Sequence, residues 1–127
     1  MANEHAAKVL GDLRDLWAKC QELCALEPQV ERAKLDDKQL DHLTVTLREV
    51  NNWKVGMWPQ REAIRELANA IATGNSVDVY VRNASIILRF LPRVEEDIGV
   101  CRKAGAVLPA GWAPTPPEQE AEAARPQ

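Results

Sequence analysis

Three sets of side chains in this 127-residue chain have types and spacings that could do chemistry. Cys20 and Cys24 stand four apart, which on a helix puts two thiols on one face and could place both on a metal ion, with Cys101, His5 or His42 to complete the set. Zinc sites normally pair two such doublets, and the chain has no second one. All three cysteines also fall on apolar stripes, where a thiol behaves as a small buried hydrophobe. No metal and no cofactor is therefore expected. His42 carries an imidazole able to act as a base, with Asp41 and Glu49 on the same segment. Adjacent helical residues point apart, however, and no glycine-framed serine or other obvious nucleophile accompanies it, so a surface histidine is expected. Arg82, Arg89 and Arg93, spaced by seven and four, would line one side of a continuous helix and offer guanidinium forks to phosphates or carboxylates. Glu95, Glu96 and Asp97 follow at once and could neutralise that patch.

A second group of residues suits binding rather than reaction. Val79, Ile86 and Phe90 form a stripe off the main apolar face of their segment, with Asn83 in the same register. A helix apolar on two faces is either central in its bundle or shared with another chain, and in the second case Asn83 resembles the buried polar residue that fixes pairing register. The connection through Trp53, Val55, Gly56, Met57, Trp58 and Pro59 holds two of the four tryptophans and a methionine. Such side chains either plug the end of a bundle or form an interface hot spot.

The elements that must position these residues are helices. Val9, Leu13, Leu16, Cys20 and Leu23 recur at alternating steps of four and three, the wide apolar face of a bundle helix that should end near Leu26, ahead of Pro28. Residues 28–34 form a short turn or a loop. Asp36 and Gln39 have the spacing of a capping box, with Leu35 and Leu40 as its hydrophobic staple, which predicts a helix from about Asp36 to Trp53. Gly56 can stop that helix, and Pro59 can open the next, whose buried stripe is Ile64, Leu67, Ala68 and Ile71 and whose end is Gly74. Residues 76–91 are rich in β-branched side chains and admit a hairpin turning at 83–85, but Val77, Tyr80, Val81, Ala84, Ile87, Leu88 and Leu91 fit a helical face better, capped by Asn75 or Ser76. Pro92 should break that helix, and Val94, Ile98 and Cys101 carry a last one to about Ala104, closed by Gly105 and Pro109.

The segment from Pro59 to Glu66, with Arg61, Glu62, Arg65 and Glu66, resembles over a few residues the proline-x-arginine-glutamate helix of small all-α chorismate mutases, whose pockets bind a dicarboxylate through arginines and a lysine. The first helix, which offers Arg14 and Lys19 amid its leucines, departs from that family's pattern.

Composition sets the remaining bounds. A chain of this length with 46% hydrophobic residues can bury a core without disulfides or metal. The formal net charge is −3, and the last ten residues hold three glutamates against one arginine, so the rest is near neutral, unlike a counterion-driven nucleic-acid binder. No apolar run approaches the roughly 18 residues of a membrane span, and an odd number of thiols fits a reducing cytoplasm. After Pro109 prolines are frequent and large apolar residues few, with Trp112 the one candidate for docking.

These features predict an all-α antiparallel bundle of four to five helices over 1–108 and a disordered, Pro/Glu/Ala-rich tail over 109–127. The expected function is non-enzymatic: a regulator, adaptor or inhibitor, homodimeric, binding another protein through Trp53, Met57, Trp58, Val79, Asn83, Ile86 and Phe90. The alternative is an anion-binding module holding a nucleotide or nucleic-acid backbone on Arg82, Arg89 and Arg93, and a small all-α enzyme comes third. A cytoplasmic location and no membrane contact are expected.

Overall fold

A computed structural model describes residues 2–55 and 59–117. Within them the chain forms five α-helices: α1 (Ala2–Leu26), α2 (Asp37–Val55), α3 (Pro59–Thr73), α4 (Asp78–Leu88) and α5 (Leu91–Lys103). Two 3-10 turns, Glu27–Gln29 and Arg32–Lys34, link α1 to α2. No strand occurs among the described residues, and the segment that admitted a hairpin is α4.

The longest apolar face belongs to α1, and that helix becomes the centre of an all-α bundle, packing against α3, α4 and α5. Ala6, Val9, Leu13, Leu16, Trp17, Cys20, Leu23 and Leu26 are all buried, and each large member of such a row contributes about 1.5–3 kcal/mol of transfer free energy. The facing helices supply Ile64, Leu67 and Ala70 from α3, Ala84 from α4, and Val94, Ile98 and Cys101 from α5. Ala68 and Ile71, expected on the α3 stripe, are half-buried. To the same cluster α2 adds a narrower row on its side toward α5, Leu43, Thr46 and Val50, whose middle member is polar.

Local chemistry sets the helix ends. Gln39 N donates to Asp36 Oδ1 at 2.8 Å and Asp36 N donates to Gln39 Oε1 at 3.0 Å, so the capping box satisfies two backbone donors at the start of α2 reciprocally. Gly74, at φ +70°, closes α3 with Asn75 N donating back to Ala70 O, a Schellman stop that needs a left-handed residue. The cap expected from Asn75 or Ser76 is not made: Val77 is the N-cap of α4, without a side-chain hydrogen bond. Pro92 lacks a backbone donor and its ring would meet the carbonyl of Leu88, so the chain turns at Arg89 and Phe90 before α5 begins.

Of the segment expected to be a disordered tail, residues 109–117 are described, and Thr115 ties them to α1. Thr115 N donates to Gln21 Oε1 at 2.9 Å, and Thr115 O accepts from Gln21 Nε2 at 3.1 Å and from Trp17 Nε1 at 2.6 Å. Pro117 is buried and Trp112 half-buried. An extended, proline-flanked stretch has no internal partners for its backbone groups, and the two α1 side chains supply them. The rest of that expected tail, 118–127, lies outside the described residues, as do Gly56, Met57 and Trp58.

Candidate interaction groove and a histidine–aspartate pair

Where α2 leans away from the bundle, its outer face and the α4–α5 corner enclose an open groove of about 480 Å³. Trp53 and Phe90 meet in it edge to face, ring centres 4.7 Å apart at 68°. Val45 on α2 and Ile86 on α4 form its walls, with Glu49 and Arg89 also at its lining. These aliphatic side chains are unusually open for their size: Val45 is 49% exposed, and Ile86 and Val79 are each 59% exposed. The outer stripe of α4 therefore faces solvent, so a central place for this helix is ruled out.

The structure brings Trp53, Ile86 and Phe90 together with Arg89 and Arg93 at this groove, joining residues that the sequence divided between two binding modes. Val79 and Asn83 lie exposed further along α4, as does Arg82. Met57 and Trp58 lie outside the described residues. The row of three arginines is not continuous, because the helix ends between Arg82 and Arg93. Arg93 is turned onto α2, its Nε donating to Thr46 Oγ1 at 2.7 Å and its Nη2 to the His42 carbonyl at 3.2 Å. The acidic run after it does not neutralise Arg82 or Arg89 either. Glu95 pairs with Lys19 at 2.7 Å, while Glu96 and Asp97 both turn to His42.

That last arrangement corrects the expected surface histidine. His42 Nδ1 lies 2.8 Å from Asp97 Oδ1, its Nε2 lies 3.4 Å from Glu96 Oε2, and its side chain is 31% exposed. Asp97 is fully buried, and its Oδ2 has no hydrogen-bond partner. A small cleft of about 250 Å³ opens beside the pair, with Lys38 and Val100 among its lining residues. A carboxylate that orients an imidazole is half of an acid–base machine. The nearest hydroxyl in the network, Thr46 Oγ1, donates to the His42 carbonyl at 2.9 Å and accepts from Arg93, so it is engaged in tying α2 to α5. The sequence held a signal for one half of the pair, since Asp97 falls between Val94 and Cys101 at helical spacing, on the buried stripe of α5.

The thiols are packing groups. Burial pushes Cys20 up to about 12 and Cys101 up to about 11, and burial likewise raises Cys24, so all three stay protonated near neutrality. All three are free, and Gln60 Nε2 lies 3.8 Å from Cys20 Sγ inside the core. Among the described residues no group of three or more histidine, cysteine, aspartate or glutamate side chains could hold a metal ion, and no helix is long and apolar enough to cross a membrane.

Fold and site together define an all-α helical bundle with an exposed apolar groove on one side and a histidine–aspartate pair between α2 and α5 on another. Compared with known protein families, curated proteins and solved structures, the chain matches none.

Proposed function

We propose that this protein is a non-enzymatic interaction module, a small regulator, adaptor or inhibitor, whose groove between α2 and α4 captures an apolar segment of another protein. One observation carries the proposal. Val45 keeps about half of its surface in water, and Val79 and Ile86 more than half, two of the three on the walls of a groove floored by aromatic rings, although the chain buries a full core elsewhere. Apolar concavities of this kind mark sites where a partner removes the surface from water. Trp53 and Phe90 are the residue types that concentrate binding energy at interface centres. The free thiols, two buried and one half-buried, fit a cytoplasmic setting, and a homodimer is the form of this proposal in which a second copy supplies the segment.

The test uses the exposed residue that the fold needs least. Affinity capture from lysate with Ile86→Asp should lose the protein that the unaltered chain retains, while helicity by circular dichroism stays the same. Equal capture by Ile86→Asp and Val79→Asp would remove this surface from consideration.

A further inference from the structure

We infer that the occupant of the groove is an acidic amphipathic helix of a different protein, whose carboxylates pair with Arg82 and Arg89 along one edge of α4. The inference rests on the proposed role of the groove and adds the chemistry of what fills it.

Spacing comes first. Val79, Asn83, Ile86 and Phe90 follow one another at steps of four, three and four, the interval that keeps a seam facing a neighbouring helix. Arg82 precedes Asn83 by one within α4, and Arg89, the C-cap residue that keeps αR backbone angles, precedes Phe90 by one just past the helix end, so both flank the seam on the same side, seven residues and about 10 Å apart. A helix laid along α4 presents its own flanking positions to that edge once in every two turns.

Charge identifies what those positions carry. Lys8, Lys19, Arg32, Lys34, Arg65 and Arg102 all have acidic partners within the protein. Arg82 and Arg89 are exposed and form no ion pair with a described residue; Arg48 and Arg61 form none either, and what sets Arg82 and Arg89 apart is their place beside the apolar seam. The acidic run that could have reached them is held by Lys19 and His42 instead. Two unpaired guanidiniums beside an exposed apolar seam are complementary to carboxylates on the edge of an apolar helix. Glu49 at the α2 wall adds polarity in the other sense, so the occupant is acidic on its α4 edge and neutral or basic on its α2 edge.

The same pattern disfavours the other occupants. In an antiparallel two-fold pairing of α4 helices each edge meets itself, which would align Arg82 and Arg89 of one copy with Arg89 and Arg82 of the other. A nucleic-acid backbone would use the arginines but would leave the apolar seam in water, and the net charge of the chain opposes it.

The experiment measures fluorescence anisotropy of two labelled synthetic peptides of about 15 residues, long enough for four helical turns, against the full-length protein. Both carry the same leucine stripe; one has glutamates along a single edge, the other lysines. The glutamate peptide should bind roughly five- to tenfold more tightly, a preference that salt reduces, because two exposed ion pairs supply it. Arg82→Glu/Arg89→Glu should invert the preference, and Ile86→Asp should abolish binding of both. Equal affinities for the two peptides would refute the acidic partner while leaving the groove in use, provided that Ile86→Asp still removes them. Loss of neither peptide in Ile86→Asp would refute the groove itself. Tighter binding of labelled single-stranded DNA than of either peptide, or a dimer in sedimentation that Ile86→Asp dissociates, would assign the face to another occupant and overturn the inference.

Discussion

Removing the imidazole of His42 should cost the fold more than removing the charge it faces, and the structure sets the size of the difference. Asp97 is fully buried, its Oδ1 is 2.8 Å from His42 Nδ1 and its Oδ2 has no hydrogen-bond partner. His42→Ala leaves a buried carboxylate without its partner, a change that typically costs 3–5 kcal/mol. Two features lower that figure. The imidazole is partly solvated, so water can follow it out, and Arg93 lies one turn before Asp97 on α5 and can release Thr46 to approach it. The expected loss is therefore about 2–3 kcal/mol. Asp97→Asn instead keeps an oxygen to accept from His42 Nδ1 and puts an amide where one carboxylate oxygen is already unsatisfied, so its cost should be about 1 kcal/mol or less.

Urea unfolding followed by circular dichroism separates the two. With a slope of about 2 kcal/mol per molar, typical for a domain of this size, His42→Ala should lower the midpoint by about 1–1.5 M and Asp97→Asn by about 0.5 M. In the Asp97→Asn background the His42→Ala change should cost much less than in the natural sequence, because the charge it strands is gone. If His42→Ala proved no more damaging than Asp97→Asn and the two effects added, the argument that His42 sustains a buried charge between α2 and α5 would be refuted.

Three further outcomes follow from geometry elsewhere in the fold. Asp36→Ala and Gln39→Ala should each destabilise by about 1 kcal/mol in thermal or chemical unfolding, and the double variant by less than the sum, since each side chain satisfies a donor next to the other. Gln21→Ala removes both bonds to the Thr115 backbone and should free residues 113–117 for limited proteolysis while costing about 1–2 kcal/mol or less, whereas unchanged protection would show that Trp17 alone holds the segment. The buried thiol of Cys20 is raised from 9.0 to about 12, so the unfolded chain ionises first: its contribution is intact below about pH 9 and is lost as pH rises toward 12. Stability should accordingly fall by up to about 1.4 kcal/mol per pH unit more steeply in the natural chain than in Cys20→Ala between pH 9 and 11, and a parallel decline would refute that account.

The sequence was informative wherever a structure depends on neighbours in the chain. The stripe from Val9 to Leu23 is buried at every position named for it, the Asp36–Gln39 box forms with both bonds, and helical spacing prevailed over β-branched composition in α4 because Val77 and Ala84 find the core at that period. It was uninformative where partners are distant. His42 and Asp97 are 55 residues apart and Thr115 meets Gln21 across 94, so neither pairing leaves a local pattern. The arginine row failed for a local reason that was present but given too little weight. Pro92 turns the chain before Arg93, and the register of α4 does not carry past that turn.

The exposed stripe on α4 is also the place where local preference and tertiary packing both work against the residues found there. Val79 and Ile86 are each 59% exposed, so burial within this chain recovers less than half of the roughly 1.5–3 kcal/mol that full burial of such a side chain brings. Both are β-branched and lose side-chain freedom on a helix, so alanine, lysine or glutamate at these positions would stabilise α4 by a few tenths of a kcal/mol each. Val45, 49% exposed, is a third β-branched residue in the same situation on α2. A fold that needed only to stand alone would gain from replacing all three. Aliphatic side chains that help neither their own helix nor the core gain from a surface brought to them, and that physical asymmetry lets substitutions at Val79 and Ile86 separate binding from folding.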